Sequence, residues 1–177
     1  MKERIGCTHI YCGDGKGKTT CATGLCVRAA GYGDKVLIYQ FMKNNATSER
    51  NVLKDISNIT IIDGLDDEKF SFLLTDAEKA QRKDYYESQF QMLTKKAADE
   101  HYNVVFFDEI IYAIRAGLFD EKLLLGFLEN KPPSLEVILT GQGPSDALLD
   151  AADYVSEICK RKHPFDKGVP SRQGIEV

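Results

Sequence analysis

Short apolar runs separated by helical patterns recur from one end of the chain to the other. Ile5 to Tyr11 reads as a first strand and Gly17 to about Ala30 as a helix, stopped by Gly31 and Gly33. Val36 to Phe41 is a nearly unbroken apolar strand, Ile59 to Ile62 a short third, and Phe70 to Leu74 a loop. Thr75 and Glu78 stand at capping-box spacing and open a long helix to about Glu100. Within it Tyr86, Phe90, Leu93 and Ala97 recur at helical spacing, which predicts a core-facing stripe. Val104 to Phe107 makes the next strand, followed by helical segments from Ile110 and from Asp120 to Glu129. Pro132-Pro133-Ser134 turns the chain into a strand from Val137 to Thr140, Ala147 to Ala151 is helical, and Tyr154 to Ile158 closes the sheet. Apolar strands alternating with helices predict an α/β fold of the P-loop type, a mainly parallel sheet covered on both faces, in one domain over residues 1–177.

Composition narrows the setting. A chain of 177 residues, 43% hydrophobic and 28% charged, has the make-up of one soluble globular domain. A net charge of −4 argues against broad binding to nucleic acid or anionic membranes. No apolar run approaches the ~20 residues of a membrane span, and no signal-peptide core follows Met-Lys-Glu-Arg, so a cytoplasmic location is expected. The five cysteines are odd in number and form no C-x-x-C pair, which excludes a regular disulfide framework. Cys7, Cys12, Cys21 and Cys26 fall in the first strand and helix, where cysteine is expected as a small buried apolar residue.

The chemistry starts at Cys12-Gly-Asp-Gly-Lys-Gly-Lys-Thr-Thr20, set between the first strand and the first helix. A glycine-rich turn here points backbone N–H groups into one concavity beside the positive end of a helix dipole. Gly13, Gly15 and Gly17 allow the backbone to approach a ligand closely, with Asp14 and Lys16 between them. Lys18 supplies a point charge for phosphate oxygens, and the Thr19 hydroxyl suits Mg²⁺. The usual pattern G-x-x-x-x-G-K-[ST] requires glycine at position 12, so this loop is one residue shorter. Asp108 and Glu109 end a buried strand, at the sheet edge where ligands of parallel α/β proteins bind, and are candidates for holding Mg²⁺. Thr140-Gly-Gln-Gly143 is a second glycine-rich turn on that edge. Arg28 lies about three helical turns beyond the loop. His9 and His101 are read as structural. On the residues alone, a kinase or ATPase with Asp108 activating the acceptor, or a nucleotide-binding regulatory module, stays open.

These motifs together resemble the ATP:corrinoid adenosyltransferases with a shortened phosphate loop. Gly13 to Thr20 corresponds to the family's Gly-Asn-Gly-Lys-Gly-Lys-Thr-Thr, and Arg28 to an arginine on its following helix. Gln40-Phe-Met-Lys43 resembles Gln-Phe-Ile-Lys, and Glu49-Arg50-Asn51, Asp108-Glu109 and Asp150 to Glu157 find counterparts in order. The segments Lys162 to Val169 and Gly174-Ile175-Glu176 match the family's C-terminal tail, which implies that residues 160–177 close over the active site. The resemblance implies ATP contacts from the loop, Arg28 and Gln142, and a corrinoid face made by Phe41, Lys43, Phe70, Phe72, His163 and Phe165. It implies transfer of the 5′-deoxyadenosyl group from ATP to Co(I) of a reduced corrinoid, with release of triphosphate. It further implies a homodimer and an electron-donor protein such as flavodoxin.

The chain departs from that pattern at definite places. Gln142 stands where the family has arginine in Thr-Gly-Arg-Gly, and Phe70-Ser-Phe72 where it has Phe-x-Trp. Between Lys43 and Glu49 the family's glycine and tryptophan are missing. With the first strand starting at about Ile5, a family-type N-terminal helix over the site is not expected.

Overall fold

A computed structural model describes residues 5–68 and 71–176. The elements are, in chain order, β1 (Thr8–Cys12), α1 (Lys18–Tyr32), β2 (Val36–Gln40), α2 (Glu49–Leu53), β3 (Ile59–Ile62), α3 (Asp76–Asp99), β4 (Val104–Asp108), α4 (Ile110–Arg115), α5 (Glu121–Asn130), β5 (Glu136–Thr140), α6 (Asp146–Asp150) and β6 (Tyr154–Glu157). Single 3-10 turns occur at Ser71–Leu73 and Pro164–Lys167.

The strands form one sheet in the order β3-β2-β4-β5-β1-β6, and every described pairing is parallel. β2 and β4 are buried along their whole length, which is why their sequences carry almost no polar residue. Their side chains still alternate between the two faces with a period of two. Leu37, Tyr39, Val105 and Phe107 join the core beneath α3, α4 and α5, whereas Val36, Ile38, Val104 and Phe106 join the core beneath α1 and α2. α1 meets the sheet through Ala22, Cys26 and Ala30, small residues one turn apart that let the helix lie close. Of the five cysteines, Cys12 and Cys26 are buried as expected, but Cys21 and Cys159 are exposed and Cys7 is half-buried.

Helix ends follow local chemistry. Thr75 and Glu78 form the reciprocal capping box that opens α3, and its buried stripe is Tyr86, Phe90, Leu93 and Ala97. Gly33 closes α1 in the left-handed conformation. α2, which the apolar pattern does not announce, is tied down by Arg50. Its buried guanidinium donates to Gln40 Oε1 at 3.1 Å and to the Asp63 carboxylate.

All strands being parallel, their carboxyl ends share one edge, and β1, β2 and β4 deliver the phosphate loop, Lys43 and Asp108-Glu109 to it. No helix among the described residues is long and apolar enough to cross a membrane.

Candidate active site

The turn from β1 into α1 is held against the far end of β6. Gly15 N donates to Ile158 O at 2.7 Å, and Ile158 N donates to Cys12 O at 2.9 Å. A Cβ on Gly13 would sit 2.4 Å from Ile158 O, and one on Gly15 would sit 2.7 Å from it, so no larger residue fits at either place. Gly13 and Gly17 also take positive φ, +103° and +124°. Lys18 folds back so that Nζ donates to Gly15 O at 3.0 Å, keeping the ammonium against the loop. Asp14 does something local: its Oδ1 accepts the Lys160 N–H at 2.8 Å and ties the start of the tail to the loop.

Asp108 organises the middle of the site. It is fully buried, and Oδ1 accepts from Thr19 Oγ1 (2.9 Å) and Thr140 Oγ1 (2.6 Å). Oδ2 accepts from Lys43 Nζ (2.7 Å) and Gln40 Nε2 (3.2 Å). Lys43 also donates to Thr19 Oγ1 at 3.2 Å. Burial opposes the Lys43 ammonium, but the adjoining Asp108 carboxylate outweighs that and holds its pKa above the usual lysine value. With its oxygens accepting from Thr19, Thr140, Lys43 and Gln40 and no exposed surface, Asp108 anchors β4, α1, β5 and the β2 exit.

Glu109, its neighbour, faces the other way. It takes φ +60°, the left-handed region, at the start of α4, and its N–H donates to Thr140 Oγ1 at 2.8 Å. Burial first, and the Asp108 charge second, push its carboxyl pKa above the ordinary glutamate value. Met42 leaves β2 with φ +54°, a second strained residue on the same edge. Both line a cavity of about 1020 Å³ that begins at Thr19 and Thr20 of the loop and continues past Lys43, Tyr112 and Phe72. Gln173, Gly174, Ile175 and Glu176 of the tail line it from the opposite side, and Gln173 Nε2 reaches Ser48 Oγ at 3.3 Å. A smaller cavity of about 580 Å³ is lined by Gly13 and Asp14 of the loop and by Gln142.

The structure thus brings together Thr19, Thr20, Lys43, Phe72 and Glu109 on one cavity. Other expected residues lie elsewhere. Phe41 is buried at 0% exposure among the rings of Tyr39, Tyr86, Phe107 and Phe119, so it packs the core and lines neither cavity. His163 Nδ1 accepts the Phe165 N–H at 3.2 Å and caps a 3-10 turn, and Phe165 projects outward at 71% exposure. Neither lines a cavity described above. Arg28 is exposed on α1 and borders neither, about 15 Å along the helix from Lys18. Lys16 is exposed on the loop. Phe70 lies outside the described residues. Conversely, Gln40, Thr47, Glu49 and Arg50 form a hydrogen-bonded relay to Asp108 through Gln40, with Glu49 Oε1 accepting from Gln40 Nε2 at 2.8 Å. Its residues fall in Gln40 to Lys43 and Glu49-Arg50-Asn51, segments that match the family pattern but have no strand or helix periodicity to show that they meet.

A parallel sheet with a glycine-rich loop on its carboxyl edge, opening into α1 with lysine and threonine at the entry, defines a P-loop nucleotide-binding protein. The family can be given as well: the chain belongs to the ATP:corrinoid adenosyltransferases BtuR/CobO/CobP, whose family model matches residues 4–177. It is similar to a corrinoid adenosyltransferase of Salmonella typhimurium, 32% identical over 178 residues, covering 99% of this chain and 87% of that protein. One from Escherichia coli K12 is 31% identical over 182 residues with the same coverage. One from Pseudomonas aeruginosa is 27% identical, over 99% of this chain and 85% of its own length. Among solved structures, a KaiC-like protein of Pyrococcus horikoshii superimposes with a TM-score of 0.54 at 17% identity, over 90% of this chain and 75% of that one, a likeness of fold.

Proposed function

We propose that this site transfers the 5′-deoxyadenosyl group of ATP to Co(I) of a corrinoid. The observation that carries the reading is the single cavity running from Thr19 and Thr20 at the phosphate loop to Phe72 and the tail, large enough for a nucleotide's 5′ end and a bulky partner to meet. The cobalt lone pair forms the Co–C bond to C5′, the C5′–O bond breaks, and its electrons leave on the triphosphate oxygen. Cobalt passes formally from Co(I) to Co(III). Because Co(I) is itself a strong nucleophile, the chain's tasks are alignment and stabilisation of the leaving charge. The loop amides and Lys18 hold the triphosphate. A divalent ion fits the same corner, since Thr19 Oγ1 and the Glu109 carboxylate are hard oxygen donors beside the loop and Mg²⁺ completes its shell with phosphate and water. When bound it would neutralise charge on the leaving group.

Phe72, 77% exposed and lining the cavity, shields the cobalt from water and a lower axial ligand. The tail at residues 160–177 closes the chamber, a role supported by Gln173 to Glu176 lining it. The same reading includes a homodimer and an electron-donor protein such as flavodoxin that returns cobalt to Co(I). The test is anaerobic incubation with chemically reduced cobalamin or cobinamide, ATP and Mg²⁺. The Co(I) absorbance should decay into that of a light-sensitive alkylcobalt species. Phe72→Ala should lose several-fold more activity when Co(II) must be reduced on the protein than when Co(I) is supplied. No alkylcobalt product from the wild-type protein refutes the proposal; equal losses in the two assays refute the role of Phe72.

A further inference from the structure

The turn after β5 presents a neutral amide, Gln142, to the smaller cavity, across from Gly13 and Asp14 of the phosphate loop. A cation is nevertheless present there. Arg115, the last residue of α4, lines the same cavity. Its guanidinium lies along Gly143: a Cβ at that glycine would be 3.4 Å from Nη1 and 3.5 Å from Cδ. Gly143 has φ +72°, so the turn requires glycine for its backbone, and the bare Cα gives the guanidinium a seat. Among the described residues Arg115 makes no ion pair, although Asp14 and Glu157 border the cavity. Asp14 instead accepts from the Lys160 backbone. Arg115 is exposed, and its planar donor fork, without an ion-pair partner, lies beside Gly143 on the cavity that Gly13 and Asp14 of the phosphate loop also line.

The placement of α4 explains how it gets there. Glu109, at the N-terminal end of this helix, faces the larger cavity, and Arg115, at its other end, faces the smaller one. The helix rises about 9 Å between them, so one short element sets a carboxylate on the larger cavity and a guanidinium on the smaller.

We propose that Arg115 is a phosphate-binding residue of the nucleotide site, donating to non-bridging oxygens of the phosphate chain and supplying from α4 the positive charge that Gln142 does not. Guanidinium is suited to this because its parallel N–H groups match two phosphate oxygens and it stays charged at all relevant pH. The inference rests on the loop being the nucleotide site, and the test separates the two. Isothermal titration with inorganic triphosphate and with Mg·ATP is compared for wild type, Arg115→Ala, Arg115→Gln, Arg115→Lys and the double variant Arg115→Ala/Gln142→Arg. Arg115→Ala and Arg115→Gln should each weaken triphosphate binding about tenfold or more, the loss expected for a charge-assisted hydrogen bond. Arg115→Lys should recover part of it and Gln142→Arg most of it, with circular dichroism and the melting midpoint unchanged. Wild-type triphosphate affinity in both Arg115→Ala and Arg115→Gln overturns this proposal alone. A wild-type protein that binds neither triphosphate nor Mg·ATP overturns the nucleotide site and the proposal with it.

Discussion

Asp108 and Glu109 are adjacent carboxylates with opposite environments, and the difference between them sets the chemistry of the site. Asp108 ends β4 with its oxygens occupied by Thr19, Gln40, Lys43 and Thr140, so its charge is spent on structure. Glu109 takes the left-handed turn that follows, and burial with the Asp108 charge beside it raises its pKa. A carboxyl that binds its proton more tightly folded than unfolded favours the folded state progressively as pH falls through its folded pKa. When ionised and without divalent ions, Glu109 is therefore a net burden on the fold. Glu109→Gln should melt at a higher temperature than wild type near pH 7.5, and the gap should narrow as pH is lowered toward 5. Calorimetric melts across that range check it, and coincident midpoints at every pH would contradict the assignment. The same substitution should abolish any stabilisation by Mg²⁺ with nucleotide. Neither environment was legible from the pair Asp-Glu itself, because the sequence does not say where β4 stops and the left-handed turn starts.

The loop between β1 and α1 shows how far local pattern determines an element and where tertiary packing takes over. Gly13→Ala adds a methyl 2.4 Å from Ile158 O at φ +103°. It should cost about 2 kcal/mol of stability and weaken ATP binding, since the loop must leave its seat on β6. Gly24→Ala, within α1 and with nothing inside 4 Å of its Cβ, should stabilise by about 0.5 to 1 kcal/mol. Urea denaturation of the two variants tests both signs; a shared sign would mean that the packing at one of them is wrongly described. The major elements were legible because their periodicity is long or their strands fully apolar, as in α3, β2 and β4. The five residues of α2 make little more than one turn, too few to show a period, and its hold comes from Arg50 reaching Gln40 and Asp63 across the chain. Phe41 is the instructive error. Counting by twos from Leu37 and Tyr39 places it on the core face, which the family motif alone did not reveal. His163 and Phe165 sit in a local cap, a placement that a motif read as a string does not show.

At the scale of the molecule, parallel topology gathers distant segments to one edge: the loop after β1, Lys43 after β2, Glu109 after β4, Gln142 after β5 and the tail beyond β6. Two chambers open on segments of this edge, a larger one lined by Phe72 and Glu109 and a smaller one lined by Gln142. In the proposed reaction the phosphate chain would lie on the loop with the 5′ carbon toward the larger chamber, as breaking the carbon–oxygen bond in place of a phosphoanhydride requires. The most direct measurement is therefore the phosphorus-containing product of the anaerobic reaction with Co(I) corrinoid, ATP and Mg²⁺, resolved by phosphorus NMR against the alkylcobalt formed, with Lys18→Ala as the control that loses the phosphate-loop cation. The account predicts one inorganic triphosphate per adenosyl group transferred, no accumulation of ADP, and neither product from Lys18→Ala. ADP and phosphate appearing without an alkylcobalt species would contradict it.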